Sequence, residues 1–476
     1  MLIIRNRLNL PAAGGAFFFF LLMLSLFSCD APILLESQKS SAENPAKYNP
    51  DYEGRETKTF YATNTETNKA YTITAVHLAE NDYCIVYGEP SAGISLERAE
   101  IIAGEFETGI YPAITGAFGD FREYLQDNDF GQYDKLTLFL LDIKDGYDAA
   151  ANASYVAGYF YPYDLYRRTQ RSSSNERALL YLDVNPGNIE SGEFFTTIAH
   201  ELQHLINHSI RIYQQNPEEN KYASPQDTWV DEGLASAAEY LYSRQHIQDK
   251  IKYFNDDMGA PFSRGDTFFF WDSNYEDYCT VYLFFQWLRI QAEENPEIYK
   301  DIIKSEYLDY RAVTEAAAKY IDPQLDDWEK LLGYWLLANH VNAPKGSLLG
   351  YNGEITTRIR TLYSTRTSLA PGEGVFSYLD GTGFTPKGSG SHIRYLGVTQ
   401  EGELIDAPEG SFPSGRTGRI LTFNANEKVS AAGKERQKEQ GYLTGKLDPS
   451  WTGGAREAVP ARTPRPIDIP PAFFLE

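Results

Sequence analysis

The sequence predicts an α+β protein in which a mixed β-sheet leads into a group of helices. Apolar residues alternate with polar ones over residues 58–87, and uninterrupted apolar runs at residues 135–143 and 177–184 are typical of buried strands. Residues 94–125 and most of the segment from Phe194 to Val341 carry apolar residues at steps of three and four, as amphipathic helices do. We therefore expect a mixed sheet with helices, a small N-terminal β part and a C-terminal β module.

The first 28 residues predict a signal peptide. Arg5 and Arg7 give it a positive start, and residues 12–27 form a mostly apolar run that is too short to span a bilayer comfortably. The run ends in Phe27-Ser28-Cys29, which resembles a bacterial lipoprotein signal, although Phe27 replaces the small residue usual there. In such signals the chain is cleaved before the Cys, which is then acylated. We expect Cys29 to carry a lipid that anchors the protein in the cell envelope, on the periplasmic or cell-surface side; an ordinary secretory signal is the alternative.

The composition limits the partners of the chain. Its 476 residues include 66 Asp and Glu against 43 Lys and Arg, and this acidic balance argues against nucleic acid as a partner. Residues 29–57 are polar and predict a flexible tether, and residues 58–95 predict a small antiparallel sheet. The 34 Tyr and 27 Phe indicate an aromatic core, with a tyrosine-lined substrate groove as the alternative.

One predicted helix carries the residues of a metal site. His200 and His204 are four residues apart, so a helix brings both imidazoles to one face. Glu201 lies beside them, where its carboxylate can take a proton from an attacking water. Zn²⁺ suits such a site because it binds imidazole well and leaves a position open for water.

A catalytic zinc site needs a third protein ligand. His208 lies about 12 Å along the helix from His200, which is too far. Ile210 occupies the position of a metzincin's third histidine, so that class is excluded. Glu232 is the better candidate, because it lies on a second predicted helix that begins near Asp227 or Thr228, and it shares a face with Ser236 and Glu239. His200, His204 and Glu232 together therefore predict a metal site made of two histidines and a glutamate.

The two segments together resemble a known class of enzymes. His-Glu-Leu-Gln-His-Leu-Ile-Asn at residues 200–207 and Trp-Val-Asp-Glu-Gly-Leu-Ala at residues 229–235 are similar to the gluzincin metallopeptidases, and more narrowly to the hyicolysin-like family. The resemblance implies a zincin-like metallopeptidase domain over residues 96–345. In it, His200, His204 and Glu232 bind Zn²⁺ and Glu201 is the general base. The alternative is a pair of ordinary amphipathic helices whose polar residues match by chance.

Three further roles follow less directly from the sequence. Ser236 stands where other gluzincins have an Asp that supports a zinc histidine, so Asp231, Asp183 or another carboxylate has to supply that hydrogen bond. The segment around residues 158–160 also resembles the family and predicts either an edge strand that pairs with a peptide or a surface hairpin. Tyr278 is our candidate for stabilising the oxyanion, with His340 as a rival and a core aromatic as the alternative.

The sequence therefore predicts an exported, membrane-anchored zinc endopeptidase that acts on peptide or protein substrates. Its alternative is a catalytically silent surface lipoprotein that serves as a binding or adhesion module. Residues 346–426 predict the C-terminal β module, and the charged, Pro-rich residues 427–476 predict a disordered tail. Cys84 and Cys279 either form a disulfide or are buried as free thiols. The oligomeric state stays open.

Overall fold

The computed structural model describes residues 2–6, 49–125, 132–148, 154–216, 221–256, 271, 275–359, 368–369, 371–386, 390–407, 410–426 and 445–446. These residues fall into two compact units, the first within Met1–Pro225 and Ala237–Gln245, the second within Gln226–Ser236 and His246–Pro466. The predicted α+β class is confirmed: the first unit holds a mixed sheet with helices, and the second holds helices and a separate antiparallel sheet. The domain boundaries proposed from the sequence stay predictions.

A seven-stranded mixed sheet forms the centre of the first unit. It consists of β1 (Leu2–Asn6), β2 (Thr57–Asn64), β3 (Lys69–Glu80), β4 (Cys84–Gly88), β5 (Gln132–Leu141), β6 (Ser154–Phe160) and β7 (Arg177–Asp183), in the spatial order β1-β6-β7-β5-β4-β3-β2. The neighbours β4, β5 and β7 are parallel, and the other pairs are antiparallel. In the parallel register Cys84 lies opposite Leu136, and Leu138 opposite Leu180.

The strands predicted over residues 58–87 are present, but they extend this sheet instead of forming one of their own. Every residue of β4 is buried. In a small separate sheet β4 would be an edge strand, but here β5 pairs with it on the side away from β3. Burial alternates in the middle of β2, where Phe60 and Ala62 are buried, which is typical of an antiparallel strand with one exposed face, whereas the second half of β3 is mostly buried. The β4–β5 pairing joins segments about fifty residues apart, and local periodicity does not encode it.

Helices pack on this sheet and position the site. In chain order they are α1 (Leu96–Glu105), a π-helical turn (Phe106–Ile110), α2 (Tyr111–Phe118), α3 (Phe121–Leu125) and α4 (Gly192–Gln215), and α4 lies against β6 and β7. Aromatic residues from five of the strands form a buried cluster, in which Tyr159 stacks on Tyr181 with ring centroids 4.2 Å apart. The aromatic core predicted from the composition is therefore present.

The second unit contains α6 (Gln248–Asp256), α7 (Tyr275–Gln291), α8 (Glu297–Lys304), α9 (Tyr310–Tyr320) and α10 (Trp328–Val341). The intervening α5 (Thr228–Ser243) contributes its first half to this unit and its second half to the other. The strands β9 (Gly374–Asp380), β10 (Ile393–Val398), β11 (Leu404–Ile405) and β12 (Thr417–Asn424) form an antiparallel sheet, and β8 (Ser368–Leu369) pairs with β13 (Gly445–Lys446). The rest of the predicted tail after residue 426 lies outside the described residues.

Candidate metal centre

The helix α4 carries the two histidines of the predicted metal site. Ser191 caps it by accepting a hydrogen bond from the backbone N–H of Phe194, and its apolar residues are buried through Ile210. His200 and His204 are both almost completely buried, and their ring centroids lie 4.8 Å apart in a T-shaped arrangement. The spacing of four residues therefore brings the two imidazoles together, as the sequence predicts.

A carboxylate from α5 completes a group that could hold a metal ion. One ligand atom from each of His200, His204 and Glu232 lies within 4.8 Å of the other two, and all three residues are buried. No other such group of His, Cys, Asp and Glu occurs in the part of the chain that the structure describes. Two imidazoles and a carboxylate are a donor set that fits a divalent transition-metal ion, so the residues present match the predicted cofactor.

Glu239 is the carboxylate that supports the first histidine. Its Oε1 lies 2.9 Å from Nδ1 of His200, and its side chain is only 8% exposed. With Nδ1–H donating to this carboxylate, Nε2 is the ring nitrogen left to face a metal. The sequence predicts that Glu239 shares a helix face with Glu232 and Ser236, but helical spacing does not tell which residue of another helix lies opposite it.

The two named alternatives for this supporting role have other environments. Asp183 accepts hydrogen bonds from the backbone N–H groups of Ile143, Asn185 and Gly187, so it organises the loops that follow β5 and β7. Burial raises the pKa of Asp183 to about 7. Asp231 is half-exposed near the start of α5. The structure thus brings Glu239, rather than either aspartate, to His200.

Glu201 of α4 contacts the neighbouring strand β6. Its carboxylate is completely buried, and Oε2 accepts a hydrogen bond of 2.9 Å from the backbone N–H of Phe160, the last residue of β6. The close fit of α4 on β6 depends on Gly158, since a Cβ there would lie 2.9 Å from a methyl group of Thr197. Residues 158–160 lie in β6, but β6 is not the predicted edge strand in this structure, because β1 pairs with its outer side, with Leu2 opposite Tyr159.

The side chain of Tyr278 contacts Glu232 of α5. Its hydroxyl donates to Oε1 of Glu232 over 3.1 Å, and its ring meets Trp271 edge-on with centroids 4.9 Å apart. The rival His340 stacks on Phe376 at 4.4 Å, and burial lowers the pKa of His340 to about 4, so its ring is neutral. The structure thus brings Tyr278 to Glu232, while His340 contacts the antiparallel sheet.

His208, which the sequence excluded as a ligand, has a different partner. Its Nε2 lies 3.1 Å from the hydroxyl of Tyr166, and that hydroxyl also accepts a hydrogen bond from the backbone N–H of Ala223. His208 is part of the packing between α4 and the segment before α5.

This geometry was compared with known proteins. The chain is similar to the neutral metalloprotease ShpI of Staphylococcus hyicus. The two are 27% identical over 269 residues, which cover 55% of this chain and 57% of ShpI. This chain therefore spans little more than half the length of that relative. No protein-family model matches the sequence.

Of the two alternatives for the later cysteines, a disulfide or two buried free thiols, the structure has the second. Cys84 and Cys279 are both buried free thiols, and burial raises the pKa of Cys84 to about 12, which keeps it protonated and unreactive. Cys84 and Cys279 therefore serve as small buried apolar side chains. Cys29 lies outside the described residues, and so does most of the predicted signal peptide. Among the described helices, none is both long enough and apolar enough to cross a membrane.

Proposed function

We propose that this protein is an exported zinc-dependent endopeptidase. The observation that carries the proposal is the buried group of His200, His204 and Glu232, whose ligand atoms lie within 4.8 Å of one another beside the buried carboxylate of Glu201. The likeness to ShpI, whose name is neutral metalloprotease, supports the same class of reaction. Two imidazoles and one carboxylate are the ligand set of the thermolysin type of zinc site.

The protein's own residues divide the work of peptide hydrolysis. When bound, zinc supplies a Lewis acid for the scissile carbonyl and lowers the pKa of a coordinated water. Glu201 takes a proton from the attacking water on its carboxylate and passes it to the leaving amine. The hydrogen bond from the Phe160 N–H to Oε2 fixes this carboxylate. Glu239 holds His200 in the tautomer that presents Nε2 to the metal.

Two further parts of the site would bind the substrate. We assign to the Tyr278 hydroxyl a hydrogen bond to the oxyanion that forms when water adds to the carbonyl. To reach the oxyanion, the Tyr278 hydroxyl has to give up its hydrogen bond to Oε1 of Glu232. The strand β6 offers backbone groups to an extended peptide along the side where β1 now lies. If export removes the signal peptide, it also removes β1 and opens that edge.

Digestion of an unfolded protein by the zinc-loaded enzyme tests the proposal. We expect Glu201→Gln to bind zinc as the parent does but to lose roughly 10²- to 10⁴-fold in kcat, because the general base is gone. Glu193→Gln is the matched control, since it is the same substitution at an exposed position of the same helix. A chelator should abolish digestion, and added zinc should restore it.

The outcomes separate the candidate functions. Equal digestion by the parent and by Glu201→Gln would assign the activity to a contaminant or would refute Glu201 as the base. Zinc binding without digestion of any unfolded substrate would instead favour the catalytically silent binding lipoprotein. The buried carboxylate of Glu201 argues against this alternative, because a binding protein has no use for a general base beside a metal site.

We also propose that Cys29 anchors the protein to the cell envelope. The proposal rests on the sequence around Phe27-Ser28-Cys29, and acyl chains contribute about 0.8 kcal/mol for each buried CH₂. In a bacterial host that processes lipoproteins, the parent should sediment with membranes, and Cys29→Ser should move to the soluble fraction. Sedimentation of both forms with membranes would refute a lipid on Cys29 as the anchor.

A further inference from the structure

An arginine of the first unit is held against two tyrosines that follow β6 in the chain. Nε of Arg171 donates to the hydroxyl of Tyr161 over 3.0 Å, and Cζ of Arg171 lies 4.7 Å from the ring centroid of Tyr163. The Tyr163 ring in turn meets Tyr222 edge-on, with centroids 4.6 Å apart. All four side chains are partly exposed. The guanidinium is therefore fixed in one orientation while it remains accessible to a ligand.

The charge of Arg171 is not balanced within its surroundings. Among the residues that the structure describes, no carboxylate forms an ion pair with Arg171; Asp164, in the same segment, accepts hydrogen bonds from Asn175 and Tyr181 instead. Burial raises the pKa of Tyr161 even though the Arg171 charge opposes this, so the hydroxyl stays protonated at neutral pH. In a chain with 66 acidic and 43 basic residues, Arg171 is thus a fixed cation that can attract an anionic group.

Tyr161 continues the alternation of β6 past the last residue of that strand. Its backbone is extended, with φ −110° and ψ 103°. Its ring packs against the same buried aromatic cluster as Tyr159, and the residue between them, Phe160, donates its N–H to Glu201. The hydroxyl that holds Arg171 therefore belongs to the residue next to the Glu201 contact.

The strand β1 shows how an extended chain lies along β6. It runs antiparallel to β6, with Leu2 opposite Tyr159. A peptide in the same direction and register places its more N-terminal residues opposite Phe160 and then opposite Tyr161. Opposed residues of an antiparallel pair project to the same face, with Cβ atoms about 4.5–5.5 Å apart. The peptide residue opposite Tyr161 therefore projects beside that ring, on the side where Arg171 is bound.

We propose that Arg171 is a specificity-determining residue that selects a glutamate on the N-terminal side of the scissile bond. That bond lies near Phe160, because the N–H of Phe160 binds the carboxylate of the proposed base Glu201. The Arg171 guanidinium pairs with the glutamate carboxylate, and the Tyr163 ring keeps the guanidinium plane in place. This inference rests on the proposed function and adds to it a class of substrate, peptides with an acidic residue before the cleaved bond.

Hydrolysis of matched peptides by the zinc-loaded enzyme tests this. Each position of one peptide is replaced in turn by Glu and by Gln. At a single position before the scissile bond, we expect kcat/KM for the Glu peptide to exceed that for the Gln peptide by roughly 3- to 10-fold, as for a partly exposed, charged hydrogen bond. Arg171→Gln should abolish this ratio, and Arg171→Lys, which keeps the charge without the planar fork, should retain part of it.

Arg168→Gln is the matched control, since it removes the same charge from an exposed position of the same segment. Nε of Arg168 donates to the backbone oxygen of Ser174 and lies 3.8 Å from Glu176. The ratio of kcat/KM between the Glu and Gln peptides should stay at the parent value in this variant. A role of Arg171 in packing alone would lower kcat/KM for both peptides equally. Added salt should reduce the ratio in the parent, because partly exposed charges are screened.

Equal kcat/KM for the Glu and Gln peptides at every position before the scissile bond, or a ratio that survives in Arg171→Gln, would overturn the inference. If Arg171→Gln does not fold, Arg171→Lys and the salt dependence of the parent decide, and a ratio that salt does not change would overturn it. If the parent cleaves no peptide, the proposed function fails instead. The Kd values of the Glu and Gln peptides for the zinc-loaded parent then test Arg171 separately, and equal values at every position would overturn its role.

Discussion

Removal of the Glu239 carboxylate should weaken metal binding without unfolding the site. The hydrogen bond from Nδ1 of His200 to Glu239 is 2.9 Å long, nearly buried and ends on a charged acceptor. Such a bond contributes about 1.5–3 kcal/mol. Loss of a partner that orients a metal-ligating histidine costs roughly 10- to 100-fold in metal affinity or activity. We therefore expect Glu239→Ala to raise the Kd for zinc by that factor, and Glu239→Gln, which keeps an acceptor of the same length, to raise it less.

The assay is competition for zinc against a chelator of known affinity, followed by digestion at saturating zinc. Asp231→Asn and Asp183→Asn are the controls, because both residues were candidates for the same role and the carboxylate that lies 2.9 Å from Nδ1 of His200 is that of Glu239. Their Kd for zinc should match that of the parent. An unchanged Kd in Glu239→Ala, or a weakened one in Asp231→Asn, would refute the assignment of Glu239.

Three other perturbations test separate parts of the structure. Tyr278→Phe should lower kcat by roughly 10²- to 10³-fold with little change in the Kd for zinc. If zinc binding is weaker and kcat at saturating zinc is normal, Tyr278 orients Glu232 and does not stabilise the oxyanion. Gly233→Ala should lower Tm, because the new Cβ would lie 2.2 Å from the Phe285 ring and overpacking costs about 1–3 kcal/mol. This loss outweighs the gain in helix propensity from glycine to alanine, and a higher Tm would refute the packing argument. Burial raises the pKa of Asp164 to about 7, so the stability it contributes is complete below its unfolded pKa of about 4 and is lost as the pH rises through 7. Between pH 4 and 8 the Tm of the parent should therefore fall more than that of Asp164→Asn, and parallel Tm curves would contradict the assignment.

The parts of the site that follow helical spacing could be predicted from the sequence. His200 and His204 share a face because they are one turn apart, and Glu232 was placed on a second helix that begins at Thr228, as observed. Both predictions use only local information, since a helix relates neighbours three or four residues apart. The strands of the main sheet were found for the same reason, from local alternation or apolar runs.

The arrangement of those strands could not be predicted in this way. β4 looked like the last strand of a small sheet, yet it pairs with β5 across a long intervening segment that contains α1, α2 and α3. Only long-range pairing buries both of its edges, and neither composition nor periodicity specifies which strand will be the partner. The role of Glu239 was missed for a related reason: it depends on which residue of another helix lies opposite.

A polar stripe along a buried helix face is the signal that would have found Glu239. Glu232, Ser236 and Glu239 follow each other at steps of four and three, and all are buried among the small apolar residues of α5. Such a stripe is costly unless every member has a partner. Here each polar group has one on another helix: Tyr278 for Glu232, Lys250 for Ser236 and His200 for Glu239. Gly233 lets the Phe285 ring of α7 approach α5 closely, since a Cβ there would lie 2.2 Å from that ring, and Tyr278 reaches Glu232 from the same helix α7.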